Sequence, residues 1–224
     1  MNKGITIAID GPAGSGKSTT AKLLAEKLDY IHVDTGAMYR AITHQWLQLG
    51  FDVTEENMLQ LLDSIKLNIK HTEHGQKTIL NGTDVSDDIR RPEVDRKVSE
   101  ISAVSVVREY LVDMQRKIGG QGRAVVDGRD IGTVVLPNAD LKIFLVASVD
   151  SRAARRKKQH DLKGQYHTID EIKQQILDRD KYDSSREISP LKKAQDAIEI
   201  DTSTLTIEEQ VGKIYTLALD KIQT

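Results

Sequence analysis

The chain has 224 residues, 38% of them hydrophobic and 29% charged, with a formal net charge of −2 and no cysteine. Those figures suit one α/β domain that buries a core and has room for a small inserted lobe. They exclude a disordered chain, a disulfide scaffold and a thiolate nucleophile, and they supply no global positive field to hold nucleic acid.

The opening residues MNKGITIAID lack the apolar segment and small-residue cleavage site of a signal peptide. No run approaches the ~18 apolar residues that span a bilayer. A cytoplasmic protein without membrane contact is expected. No internal repeat or low-complexity tract interrupts the alternation of short apolar runs and helical patterns. The runs are 5–10, 30–33, 124–127, 141–147 and 197–201. Most are continuously apolar, as buried parallel strands are.

The first run leads into Gly11-Pro12-Ala13-Gly14-Ser15-Gly16-Lys17-Ser18, which fits G-x-x-x-x-G-K-[ST] without mismatch. Ala21, Leu24, Ala25 and Leu28 share one face of the helix predicted after it. A strand, a glycine-rich turn and a helix N-terminus place backbone N–H groups and a partial positive charge around phosphate oxygens. Lys17 adds a full charge for the β and γ oxygens, and the Ser18 hydroxyl is a candidate Mg²⁺ ligand. Thr19 completes the donor-binding set. The motif specifies a nucleoside triphosphate. It does not by itself separate kinases from ATPases or GTPases, although no N-K-x-D base-reading motif is present.

The second run ends in Asp34-Thr35-Gly36-Ala37-Met38-Tyr39-Arg40, at the strand edge where α/β sheets bind ligands. Thr35 offers a hydroxyl and Arg40 a charge about one and a half helical turns on. The plain alternative makes Thr35 an N-cap and Arg40 a solvated residue. Alternation at Ile65, Leu67 and Ile69, a turn at His74-Gly75, a short run at 78–80 and an Asn81-Gly82 turn predict a small antiparallel lobe between about Asp63 and Arg91. Arg91-Pro92 then opens a helix. Val107, Tyr110, Leu111, Met114 and Ile118 form the next stripe, with Gly119-Gly120 as its predicted stop.

The third run reads Val125-Val126-Asp127-Gly128-Arg129-Asp130. An apolar strand ending in aspartate can order Mg²⁺ or its waters, and Gly128 lets Arg129 reach a reacting centre. An Asp-Gly turn with no ligand is the alternative. Residues 151–186 hold ten basic and six acidic side chains. Arg152 shares a helical face with Arg155 and Arg156, and Arg179, Asp183 and Arg186 share another. A polar loop at 159–167 separates the two faces, and Thr168 with Glu171 forms a capping box. This arrangement predicts a lid that closes over a phosphorylated ligand; a solvent-facing helix pair is the alternative. Thr206 and Glu209 repeat the box before Ile207, Val211, Ile214 and Ala218. The histidines show no metal spacing and are expected to be structural, as Trp46 is expected to be core.

GPAGSGKST, DTGAMYR, DGRDIGTVV and the R-D-x-x-D-x-x-R run from Arg179 to Arg186 together resemble the bacterial cytidylate kinases, in order and across essentially the whole chain. That resemblance implies a P-loop NTPase three-layer α/β fold with a five-stranded parallel sheet, a helical lid at about 151–186 and a monophosphate-binding lobe at about 63–91. The core would be 1–62, 92–150 and 187–224 of one domain. It implies ATP and Mg²⁺, with CMP or dCMP as acceptor, and it leans to a monomer. By position, Thr35 and Asp183 would meet the sugar or base; Ser99, Arg108 and Asp183 would read cytosine; Arg179 would approach the ribose. Arg40, Arg129 and Arg186 would hold the acceptor phosphate. Arg155 would cover the adenine, with Arg152 and Arg156 nearby. Many family members carry serine at Thr35, and Lys181-Tyr182 replaces a more polar pair.

An acceptor phosphate is already anionic near pH 7, so direct in-line transfer would depend on positioning and charge stabilisation by Lys17, Asp127, Arg129, Arg179 and Arg186. Three other readings stay open: a P-loop kinase for UMP, shikimate or gluconate, a nucleotide-driven switch, and a nucleic-acid binder using the basic lid.

Overall fold

A computed structural model of the protein describes residues 4–73, 75–162 and 164–223. Residues 1–3, His74, Lys163 and Thr224 lie outside the described residues. With them go the first three of the opening residues, the His74 position of the His74-Gly75 turn and one position of the predicted 159–167 loop.

All five apolar runs become strands of one parallel sheet: β1 (Thr6–Asp10), β2 (Ile31–Asp34), β6 (Ala124–Gly128), β7 (Leu141–Val146) and β8 (Ile198–Asp201). Their order is β2-β6-β1-β7-β8. The edges move by a residue or two from the sequence expectation. β1 is buried at every position because helices cover both faces of the sheet. Ala8, Val33 and Val126 face one core with Met38, Ile42 and Leu111. Ile7, Ile9 and Val125 face the other with Leu24, Ile143 and Ile214. The helices are α1 (Lys17–Leu28), α2 (Thr35–Leu49), α3 (Glu55–Ser64), α4 (Pro92–Ile101), α5 (Ser105–Gly119), α6 (Val149–Leu162), α7 (Ile169–Ser185) and α8 (Ile207–Gln223).

The inserted lobe is a three-stranded antiparallel sheet of β3 (Leu67–Thr72), β4 (Gly75–Leu80) and β5 (Thr83–Asp84). Asn81 and Gly82 both take positive φ, 50° and 85°, which makes the β4–β5 connection the primed hairpin turn that Asn-Gly favours. Leu67, Leu80, Val85 and Ile89 join the first core, so the lobe packs into the body of the molecule. Its β4 strand also clips onto β2. Gln76 accepts from the Asp34 amide (2.8 Å) and donates to the Asp34 carbonyl (3.2 Å). The lid helices hold their own small cluster of Ala153, Ile172 and Ile176.

Several local expectations need correction. Ile65 caps α3 in extended conformation and is not part of a strand. α5 does stop at Gly119, but Gly120 has an ordinary φ of −76°; the positive φ comes at Gly122. Thr35 is the first residue of α2 rather than its cap. Asp34 is the cap, accepting from the Ala37 amide at 2.9 Å. Both capping boxes form: Thr168 with Glu171 and Thr206 with Glu209 each exchange two bonds. Trp46 is buried, its indole N–H donating to the Phe51 carbonyl. Among the described residues no helix is long and apolar enough to cross a membrane.

Candidate active site

One cleft opens at the carboxyl edge of the sheet, between the P-loop, α2, α4, α5, the end of β6 and the lid. The side at the Gly11–Ser18 turn is built on backbone. Gly11 has φ of 146°, and a Cβ there would lie 2.1 Å from the Leu145 carbonyl oxygen, so only glycine allows β1 to turn so close to β7. Lys17 heads α1 and is buried, its Nζ donating to the Pro12 carbonyl at 2.7 Å. Burial lowers its pKa well below the usual lysine value, and the Arg129 charge pushes the same way; Asp127 and Asp10 oppose. An anion at this point would favour its charged form.

Asp127 is the penultimate residue of β6, after its apolar run, and is 3% exposed. Its two oxygens are separately engaged, Oδ2 by the Ser18 hydroxyl at 2.6 Å and Oδ1 by His32 Nε2 at 2.7 Å. Its carbonyl accepts from the Thr35 hydroxyl at 2.7 Å. That close approach needs Gly128 beside it, where a Cβ would stand 2.7 Å from Thr35 Oγ1. Ser18 and Asp127 offer hard oxygen donors side by side at the mouth of the P-loop. Among the described residues no group of three or more carboxylate, imidazole or thiolate side chains forms a metal cage. That donor set fits Mg²⁺, which keeps several waters and takes one or two protein ligands plus substrate phosphates.

The facing side is built of guanidinium groups tied to carboxylates. Asp183 on α7 is 1% exposed and central. It pairs with Arg186 Nη2 (2.5 Å) and Arg129 Nε (2.9 Å), with Arg179 Nε at 4.0 Å. Burial pushes Arg179 down to about 9, and the neighbouring charges of Arg129 and Arg40 push the same way. Arg40 pairs with Asp95 on α4 at 2.5 Å, and Arg156 from the lid reaches the same carboxylate at 3.3 Å. Arg108 pairs with Asp130 and donates to the Ser102 carbonyl at 3.3 Å. Ser102 Oγ accepts from Arg186 at 2.9 Å.

Of the residues singled out in the sequence, Ala13, Gly14, Gly16, Lys17, Ser18, Thr19, Thr35, Arg40, Arg108, Asp127, Arg129, Arg156, Arg179, Asp183 and Arg186 all line this cleft. Arg152 and Arg155 stand behind the P-loop instead. Arg152 is buried, donates to the Ala13 carbonyl at 3.2 Å and pairs with Asp180 at 2.6 Å. Arg155 donates to the carbonyls of Gly14 and Thr202. Ser99 lies in the adjoining cleft between α4 and the lid, its carbonyl 3.5 Å from Arg186 Nη2.

The sequence reading missed Asp34, Tyr39, Arg90, Ser102 and Asp130, which also line the cleft. Asp34 stood in plain view at a strand end; its side chain pairs with Arg90 at 2.5 Å. Arg90 and Ser102 carry no sequence signal, because long-range folding alone brings them here. His32, expected to be structural, touches Asp127.

Asp10, at the end of β1, was also passed over. Its carboxylate accepts from the Ile131 amide (2.8 Å) and the Gly132 amide (2.7 Å), anchoring the backbone after Arg129. Burial pushes its pKa up to about 6, although those amides pull it down. Between pH 4 and 6 the folded chain therefore keeps a proton that the unfolded chain has shed. Asp10's contribution to stability is complete below pH 4 and falls by about 3 kcal/mol as pH rises through 6. An Asp10→Asn variant, neutral throughout, should gain on the parent between pH 4 and 7 in urea denaturation. A difference that does not change with pH would contradict this.

The model of the family described as "Cytidylate kinase" matches residues 7–220. A curated relative named "Cytidylate kinase" from Bacillus cytotoxicus is 47% identical over 224 residues, all of both chains. Another of that name, from Bacillus anthracis, is 49% identical over 220 residues, 98% of each chain. A crystal structure of an uncharacterized protein from Eubacterium ventriosum superposes with a TM-score of 0.50 at 16% identity, over 99% of each chain; that likeness concerns the fold alone.

Proposed function

The chain belongs to the cytidylate kinase family, and from that premise we propose how its residues share the work of phosphorylating CMP at the expense of ATP. The enzyme is an ATP-dependent kinase of CMP; extending the acceptor to dCMP is part of the proposal. One observation supports it most: the P-loop lysine and the Arg129–Asp183–Arg186 cluster face into the same cleft.

In this reading the amides of residues 11–18 and Lys17 hold the triphosphate of ATP, with Thr19 beside them. Arg40, Arg129 and Arg186 hold the CMP phosphate end-on to it. Thr35, Arg179 and Asp183 orient the sugar, and Ser99, Arg108 and Asp183 read the cytosine. Arg156 faces the cleft from the lid, while Arg152 and Arg155 brace the P-loop backbone from behind. An acceptor phosphate oxygen attacks the γ-phosphorus, its bond to the β,γ-bridging oxygen breaks, and ADP leaves; no general base is needed for an oxygen already anionic. Lys17, Arg129, Arg179 and Arg186 carry the charge that develops on the equatorial oxygens. Mg²⁺, held through Ser18 and ordered by Asp127, would neutralise the β- and γ-phosphate charge. Residues 63–91 form the acceptor lobe and 151–186 the lid of a single domain that works as a cytoplasmic monomer, apart from membranes and nucleic acid.

A coupled ADP-release assay with ATP, Mg²⁺ and a panel of acceptors tests this. CMP and dCMP should exceed UMP, shikimate and gluconate by at least about tenfold in kcat/KM. Equal or better turnover with any of the last three would overturn the acceptor assignment. Absence of turnover with all of them would favour a nucleotide switch.

A further inference from the structure

We propose that His32 is a positioning residue of the phosphoryl-transfer centre, holding Asp127 in the orientation that meets Ser18. This rests on the reading that Ser18 and Asp127 order Mg²⁺.

β2 and β6 are parallel neighbours with Asp34 opposite Asp127, so His32 sits two residues upstream on the edge strand. From there its Nε2 reaches Asp127 Oδ1 at 2.7 Å, while Ser18 Oγ from α1 reaches Oδ2 at 2.6 Å. An ionised carboxylate only accepts hydrogen bonds, so both partners donate and the imidazole carries its hydrogen on Nε2. Three elements thus converge on one carboxylate and fix its rotation. Both His32 and Asp127 are largely buried, their side chains 11% and 3% exposed, so water is a poor substitute for the imidazole.

Without that donor, Oδ1 would be left in a buried space beside a strong competitor. Lys17 already feels the Asp127 charge. An Asp127 released from His32 would turn toward Lys17. It would then let go of Ser18, and the hydroxyl and the carboxylate would no longer meet a metal side by side. Outer-shell donors of this kind fix the orientation of the groups that meet a metal.

The test compares His32→Phe, which keeps a ring but no donor, with His32→Gln, whose amide Nε2 can occupy the place of the imidazole Nε2. Mn²⁺ binding to the enzyme–ADP complex is measured by electron paramagnetic resonance, and ADP binding is measured separately in EDTA. His32→Phe should weaken Mn²⁺ binding by about tenfold and leave metal-free ADP binding unchanged; His32→Gln should restore most of the loss. Asp127→Asn serves as reference. If it leaves Mn²⁺ affinity unchanged, the metal role of Asp127 fails. If it weakens Mn²⁺ binding and His32→Phe does not, the role of His32 fails. Imidazole ¹⁵N chemical shifts of the unmodified enzyme provide a check that needs no variant. A His32 tautomer with hydrogen on Nδ1 and none on Nε2 would overturn the proposal outright.

Discussion

Lys17→Ala should lower kcat by about a thousandfold or more while leaving the chain at least as stable as the parent. A thousandfold is about 4 kcal/mol of transition-state stabilisation, the scale of one preorganised donor in a water-poor site. The stability half follows from burial. Lys17 is 6% exposed, and its Nζ donates to the Pro12 carbonyl. Its folded pKa stands below the ordinary value of 10.5, first through burial and then through Arg129. The folded chain therefore holds this proton less firmly than the unfolded chain. Holding Lys17 charged costs stability below the folded pKa, and that cost disappears only above pH 10.5. Alanine removes the cost along with the charge. Measured together, kcat and the urea midpoint separate this from simple unfolding. Activity within tenfold of the parent would remove Lys17 from the mechanism. Loss of activity together with loss of the fold would show that the site is built to stabilise the protein rather than to bind an anion.

The donor half of this cleft was legible because it is local. A strand, a turn and a helix N-terminus contiguous in sequence form a phosphate cradle wherever they fold, and Gly11–Ser18 spells one out. The parallel sheet was legible because a strand buried on both faces is apolar along its middle, as β1 is at Ile7, Ala8 and Ile9. The other half was less legible, since Arg40, Arg108, Arg129 and Arg186 come from four separate parts of the chain: strand ends pointed to Arg40 and Arg129 and helical spacing to Arg186, but Arg108 came through resemblance alone. None of these signals gave the arginines' partners. Asp95, which binds both Arg40 and Arg156, lies on a helix whose charges look like any solvated face. α3 was not read at all, although Thr54 caps it and Glu55 and Glu56 fill its first turn. Arg152 was misplaced for a related reason. Helical spacing gives the face a side chain shares, not whether that face turns to ligand or packs behind the P-loop.

Asp183→Ala should raise KM for CMP about a hundredfold and KM for ATP less than about threefold, a difference of roughly 2–3 kcal/mol. The carboxylate touches Arg129 and Arg186 on the acceptor side, and the lysine of the donor side is not among its partners. Burial alone would raise its pKa, but Arg129, Arg186 and Arg179 hold it below the usual carboxylate range. Its stabilising contribution is therefore present above pH 4 and lost as pH falls through the lower folded value. Removing one partner of a buried ion pair costs about 3–5 kcal/mol, because the remaining charges are left facing one another. Here those charges are three guanidinium groups, which gives the variant a second signature. Millimolar inorganic phosphate should raise its melting temperature more than it raises the parent's, since the anion then supplies the counter-charge that Asp183 supplied. Equal losses for CMP and ATP, or phosphate stabilisation no greater than the parent's, would mean that Asp183 braces the lid without organising an acceptor site. Phosphate stabilisation combined with a selective loss of CMP binding would tie both effects to one set of arginines, held by an aspartate in the resting enzyme and by the acceptor phosphate in the working one.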